Sequence, residues 1–281
     1  MIKHTAFIFI ALLIWNSAQS QVLDAYVHTA EIGVGAGVGH YFGDLNPDAG
    51  LRSPKIAYGA FYKKQFSPYI GIRISGEYSF LGYSDIYSSN IVQQRRNLSF
   101  NTDLWEIALS GDFNFFRFQP EFEEFRFTPY VGLGLSVFSY DPYAYLNGEK
   151  YQLRNLGTEG QGSALYPNLT PYSSTAIGIP FTLGVKKALS VRTNIFAEVI
   201  YRFTNTDYLD DVSGLYAPDA FSPLPDGSAS PAYLLQDRSY ETGIPIASKG
   251  RQRGNSLASD AFATFKVGIS FNFKRYRCPS Y

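Results

Sequence analysis

From Phe265 to Phe273 the chain alternates without a break. Phe265, Val267, Ile269, Phe271 and Phe273 fall on one face, and Lys266, Gly268, Ser270 and Asn272 on the other. Successive side chains of a β-strand point to opposite faces, so the segment reads as an amphipathic strand. One such strand constrains little. Seven more of the same kind precede it.

Period-2 runs predict strands at Ala30–Phe42, Lys55–Gln65, Tyr69–Gly82, Asp103–Phe118, Arg126–Tyr140, Ala176–Lys187, Arg192–Thr204 and Asp260–Phe273. In the third, Ile70, Ile72, Ile74, Tyr78 and Phe80 oppose Arg73, Ser75 and Glu77; in the fourth, Trp105, Ile107 and Leu109 oppose Glu106, Ser110 and Asp112. Connections alternate between short and long. Gln65–Pro68, Gln119–Phe125 and Leu189–Val191 are short, whereas Asp141–Thr175 and Asn205–Ser259 run to 35 and 55 residues. Loops of that length are uncommon without a role. Pro180 falls inside a strand and is expected to mark a bulge.

The first residues have another character. Lys3 and His4 precede the apolar run Ala6–Trp15, and Ala18-Gln19-Ser20 offers small residues for cleavage before Gln21. This predicts a signal peptide over 1–20 and a mature unit over 21–281, with no lipid-accepting cysteine at its start. The run is too short for a spanning helix, which needs about 20 residues, and no other run approaches that length. A membrane protein made from this chain must therefore be a barrel, since only helices and closed barrels satisfy every backbone group in lipid. With 23 Phe, 22 Tyr and 25 Gly the composition suits one apolar and one polar face per strand. The expected fold is all-β: an eight-stranded antiparallel up-and-down transmembrane barrel with long extracellular loops, both termini in the periplasm and outer-membrane lipid around it.

On the polar faces lie Glu31, Arg73, Glu77, Glu106, Asp112, Lys186, Glu198, Arg202 and Lys266. In lipid each would cost on the order of 2–4 kcal/mol near the midplane; in the lumen, opposite charges pair. Eight strands enclose just enough room for side chains, so the expectation is a packed polar core, with Arg73, Glu77, Glu106, Asp112, Glu198 and Arg202 as its charge network. Gly33, Gly35, Gly37, Gly39, Gly132 and Gly134 share that face and make room for it. A proton or ion path through the carboxylates is a sharper reading of the same residues.

Catalytic patterns are scarce. Beyond the signal segment only His28 and His40 occur, neither at a metal-ligand spacing. No serine sits in a G-x-S-x-G turn, and the Gly-x-Gly repeats of residues 33–39 lie within a strand and open no helix. We therefore expect no catalytic, cofactor or metal site, no enzyme activity and no small-molecule substrate. The formal net charge of zero argues against a nucleic-acid partner. Cys278 stands alone in a tail.

Charge marks the longest loop. Asp207, Asp210 and Asp211 open it, and Lys249, Arg251 and Arg253 close it. Ion pairing between Asp207, Asp210, Asp211 and Arg251, Arg253 is expected to order the loop, with Arg95, Arg96 and Glu159 as neighbours. A calcium site on the three aspartates is the alternative, because hard cations need several oxygens.

Two resemblances add to this. Lys266, Gly268, Phe271 and Phe273 match the places of the C-terminal assembly signal of bacterial outer-membrane barrels. The chain also resembles the PorG-like barrels of the Bacteroidetes type IX secretion system, segment by segment along nearly the whole mature chain. Glu31-Ile32-Gly33, Tyr41-Phe42-Gly43-Asp44-Leu45 and Arg95-Arg96-Asn97-Leu98-Ser99-Phe100 carry it first. Phe113-Asn114-Phe115-Phe116, Thr128-Pro129-Tyr130, Asp141-Pro142-Tyr143-Ala144 and Leu156–Gly162 follow. Ile179-Pro180-Phe181, Thr206–Ser213 and Arg251-Gln252-Arg253-Gly254-Asn255 complete the series. The tail Lys274–Tyr281 departs from the pattern, in which the strand signal sits nearer the end. The resemblance implies a non-enzymatic accessory of protein secretion, associated with the periplasmic ring of the lipoprotein PorK and its partner PorN. Residue patterns alone stop earlier, at a barrel with elaborate loops, and leave open a general surface barrel of the adhesin or envelope-integrity kind.

Overall fold

The computed structural model describes residues 28–274. The expected signal peptide, the mature start at Gln21 and the tail with Cys278 lie outside the described residues. Strands β1 (His28–Phe42), β2 (Lys55–Gln65), β3 (Ile70–Ser84), β4 (Ser99–Asn114) and β5 (Phe127–Ser139) form the first part of a wall. A short hairpin, β6 (Tyr143–Leu146) and β7 (Glu149–Gln152), stands beyond it. Strands β8 (Thr175–Ala188), β9 (Thr193–Thr204) and β10 (Ala261–Lys274) complete the wall. Neighbours in sequence pair antiparallel, β5 pairs with β8, and β10 returns to β1. The eight wall strands among the described residues therefore close an up-and-down barrel with no free edge, the architecture expected from the alternation.

Closure follows from the two faces. Ile107 and Leu135 are 70% and 64% exposed on the outer wall, while Glu106 and Ser136 beside them are buried. That is the pattern of a sheet whose apolar face looks out and whose polar face looks in. The strands run from 11 to 16 residues, more than the 9–11 a tilted spanning strand needs, so their long-loop ends stand beyond the apolar belt. Here β4 differs from expectation. It begins at Ser99 because Ser99–Thr102 pair with Leu81–Ser84, and it ends at Asn114, where the chain turns in and buries Phe118. Pro180 makes no bulge. It leaves a gap in the β5–β8 ladder between Leu133↔Phe181 and Ser136↔Gly178, with the register unchanged on either side, as a missing N–H requires.

Inside, the barrel is layered. Charged and amide side chains fill the lower and middle parts. Above them Tyr41, Leu81, Phe100, Leu104, Phe138 and Phe262 form an apolar plug continuous with the loop residues Leu45, Leu98, Leu209, Val212 and Leu235. The loops are thus anchored on a hydrophobic core seated in the barrel mouth. Three short helices help shape them: α1 (Ile91–Arg96), α2 (Leu153–Leu156) and α3 (Pro231–Gln236). Asn90 caps α1 by accepting from the Val92 N–H at 2.9 Å, and Asn97 ends it in the left-handed region at φ 56°.

Candidate functional site

The alternation of β1 to β4 and β8 to β10 brings the inward charges together as one separate pair and one longer chain of contacts. Lys186 meets Glu31 at 2.6 Å, and Glu31 also accepts from the Ser270 hydroxyl at 2.6 Å. Lys63 and Arg73 share Asp112 at 2.9 and 3.0 Å. Arg73 reaches on to Glu198 at 2.8 Å, which takes the Tyr130 hydroxyl at 2.7 Å. Lys266 joins Glu198 (3.5 Å) to Glu77 (2.5 Å), and Arg202 joins Glu77 (2.6 Å) to Glu106 (2.8 Å). All ten side chains are buried. Among the described residues, five carboxylates and five cations thus occupy the lumen and cancel. Single buried charges would each carry several kcal/mol of desolvation; paired and neutral overall, they pack the interior. Sequence reasoning missed Lys63, although its place on the polar face of β2, with Phe61 and Gln65, was the available signal.

Of the proposed assembly-signal residues, Lys266 points inward into this network, while Phe271 and Phe273 lie outward, 45% and 48% exposed. Gly268 has a steric reason of its own. A Cβ there would run into the Val34 carbonyl oxygen and the Phe196 ring.

The second constellation sits where the long loops meet. Arg253 is its centre, 3% exposed. It pairs with Glu159 at 3.0 Å and Asp211 at 3.5 Å, and donates to the carbonyls of Asp211 and Gln236. Glu159 in turn accepts the Ser213 and Gly214 N–H groups at 2.9 Å. Asp211 accepts from the Thr158 hydroxyl and, at 2.7 Å, from Tyr172. Arg96 grips Asp85 through two bonds of 2.7 Å and donates to the carbonyls of Arg253 (2.8 Å) and Asp44 (3.1 Å). Two buried guanidinium groups therefore tie the four long loops (in order, residues 43–54, 85–98, 140–174 and 205–260) into one crown. Burial raises the Asp211 carboxyl to about 6 against the pull of Arg253, so acid pH favours its neutral form.

The expected pairing of the fourth loop's ends is only partly what forms. Asp211 and Arg253 meet, but Asp207, Asp210 and Arg251 make no ion pair among the described residues. Arg251 stays exposed and donates to the Ile246 carbonyl at 3.1 Å. Asp210 turns to the Tyr41 hydroxyl at 2.5 Å. Asp207 is half-buried; its burial, followed by the fields of Asp44 and Glu159, lifts its carboxyl to about 7, with Ser213 pulling the other way. Asp210 and Asp211 thus turn to different partners, and no cluster of the kind the calcium alternative needs occurs among the described residues. Lys249 pairs with Asp219 at 2.7 Å in the open, and exposed Arg95 contributes its carbonyl to the Thr242 hydroxyl.

The match of a family model described as a domain of unknown function, DUF6089, extends over residues 3–160, more than half the chain. The chain belongs to that family. The matched part of this DUF6089 chain includes β1 to β5 and the first part of the following loop, through Glu159. No curated protein matches the sequence. Among solved structures, Neisserial surface protein A is 12% identical, with 87% of this chain and 97% of that one covered at a TM-score of 0.42. Ail, the attachment invasion locus protein of Yersinia pestis, is 10% identical over 88% and 99%, TM-score 0.41. The outer membrane protein OprG from Pseudomonas aeruginosa is 9% identical over 90% and 100%, TM-score 0.36.

Proposed function

We propose that this DUF6089 protein is a sealed outer-membrane barrel whose locked crown is a rigid docking surface, and that it serves as a non-enzymatic accessory of type IX protein secretion. Membrane insertion is supported by the closed wall, its continuous apolar outer face and its neutral packed interior. Aromatic side chains stand at both ends of the belt: Tyr58, Tyr78 and Trp105 pack together below the long loops, and Phe113, Phe115 and Phe127 lie near the short turns. In this reading the crown is extracellular, the short turns are periplasmic, and the charge network and apolar plug close the lumen to solutes.

The observation that carries the secretion reading is the meeting of distant segments. Gly43–Leu45, Arg96, Leu156–Gly162, Thr206–Ser213 and Arg251–Asn255, which carry the resemblance to PorG-like barrels, belong to four loops and converge around Arg96 and Arg253. A crown held by buried ion pairs suits a fixed secretion partner at the cell surface, while the periplasmic PorK/PorN ring that the resemblance implies would meet the opposite, short-turn end of the barrel. The test is removal of the protein from a cell that has the type IX machinery. Loss of cargo secretion, with ring components co-purifying with the wild-type barrel from solubilised membranes, supports the reading. Unchanged secretion overturns it and leaves the general surface barrel.

A further inference from the structure

The Tyr41 hydroxyl lies 2.5 Å from Asp210 Oδ2 and 2.8 Å from Asp260 Oδ1. A phenol has one proton to give. It serves one of these contacts, and the other needs a proton on the facing carboxyl. The remaining bonds decide which. Asp210 accepts at both oxygens, from the Val212 N–H at 2.9 Å and the Leu45 N–H at 3.3 Å, as an ionised carboxylate does. Asp260 accepts the Leu209 N–H at Oδ2 (2.8 Å), which leaves Oδ1 free to carry a hydrogen. The shorter contact also falls on Asp210, as expected for O–H···O⁻ against O–H···O. Both acids are 1% exposed, and a Cβ on Gly43 would collide with Asp260 Oδ1 and the Tyr41 ring, so the junction is closed to water.

We propose that Asp260 and Asp210 share one proton across Tyr41, Asp260 donating to the phenol and the phenol to Asp210, and that this proton latches the fourth loop to the barrel rim. The latch joins the end of β1, the first loop through Leu45, the fourth loop through Leu209 and Val212, and the start of β10. The charged and titratable groups around it are few. Asp44 faces it from the first loop, Arg96 from the second (already bound to Asp85), and Asp207 from the fourth; Tyr140 stands by Asp260 at the end of β5. No cation pairs with either acid among the described residues. Burial holds both carboxyls well above their ordinary range, with neighbouring acids adding to it. Opening the latch releases the proton to water, where a carboxyl titrates near 4, so rising pH favours opening.

Hydrogen exchange of the Leu209 and Leu45 amides, on the full barrel in lipid nanodiscs across pH 5–8, tests this. Corrected for intrinsic exchange, wild-type protection falls with pH about tenfold per unit more steeply than in Asp260→Asn, the value for one proton. The side-chain amide that Asp260→Asn introduces donates to Tyr41 permanently, so that variant stays closed, whereas Asp210→Asn sets an NH₂ against backbone donors and opens. Equal pH slopes in wild type and Asp260→Asn, or the reverse order of the two variants, overturn the proposal. If Asp260→Asn does not assemble, infrared spectra decide. A protonated-carboxyl band at pH 7 that survives Asp207→Asn supports the shared proton, and its absence overturns it.

Discussion

Replacing Glu31 with Gln strands Lys186 in a site with no other carboxylate in contact among the described residues. Removing one partner of a buried pair costs roughly 3–5 kcal/mol, because the remaining charge is uncompensated. Glu31→Gln should therefore destabilise the barrel by about that much in urea unfolding from lipid vesicles, and Glu31→Gln/Lys186→Met by clearly less. A double variant as unstable as the single one would mean that the pair is not what Lys186 needs. At Gly268 and Phe273 two causes separate. Gly268→Ala meets the Val34 carbonyl and Phe196 and should lower the stability of barrels that do form. Phe273→Ala removes an exposed ring and should reduce the yield of heat-modifiable protein with little change in its unfolding midpoint. At this scale the inward charges were legible, because a period of two assigns every residue of a strand to a face. Their partners were not, since pairing across the lumen depends on how the strands stagger around the barrel.

Strands and loops differ for the same reason. Seven of the eight wall strands lie within about two residues of the alternation's limits, a match that follows from burial on one face only. The β4 start moved because pairing with β3 continues above the apolar belt, where the inward face carries the plug and the period-2 polar face ends. In the loops, opposite charge at the two ends predicted pairs for Asp207, Asp210 and Arg251 that do not form: Asp210 turns to the Tyr41 hydroxyl and Arg251 to the Ile246 carbonyl. The crown's lock is testable as an element. Arg253→Ala leaves Glu159 and Asp211 without their cation and should expose the third and fourth loops to protease while the barrel stays heat-modifiable. Deleting Pro218–Pro245 should also spare the barrel. It removes Leu235 from the plug and the Gln236 carbonyl from Arg253, so the crown loosens in that variant as well. Asp211 and Asp207, raised to about 6 and about 7, add a pH dependence. A raised carboxyl favours the folded crown below its unfolded value near 4, and the advantage is lost as pH climbs to the folded value. Protease cleavage of the fourth loop should thus be slower at pH 5 than at pH 8.

For the whole molecule, interior and mouth together decide what the barrel can pass. Eight strands leave a lumen the width of packed side chains, and here ten charged residues fill it under a plug that includes Tyr41, Phe138 and Phe262. Nothing in an alternating sequence announces a plug: these residues sit at strand ends on the inward face, where polar neighbours lead one to expect polarity. Opening a path would require breaking ion pairs whose members have no water to turn to, and lifting a core that the crown itself holds down. The purified barrel in planar bilayers should therefore show no conductance steps. Arg202→Ala removes the cation that joins Glu77 to Glu106, yet the plug above it remains, so that variant should stay silent too. Combining it with deletion of Pro218–Pro245 removes part of the plug's cover as well, and only that double variant should leak. Steady conductance from the wild-type barrel would contradict a sealed interior and return the carboxylates to an ion path.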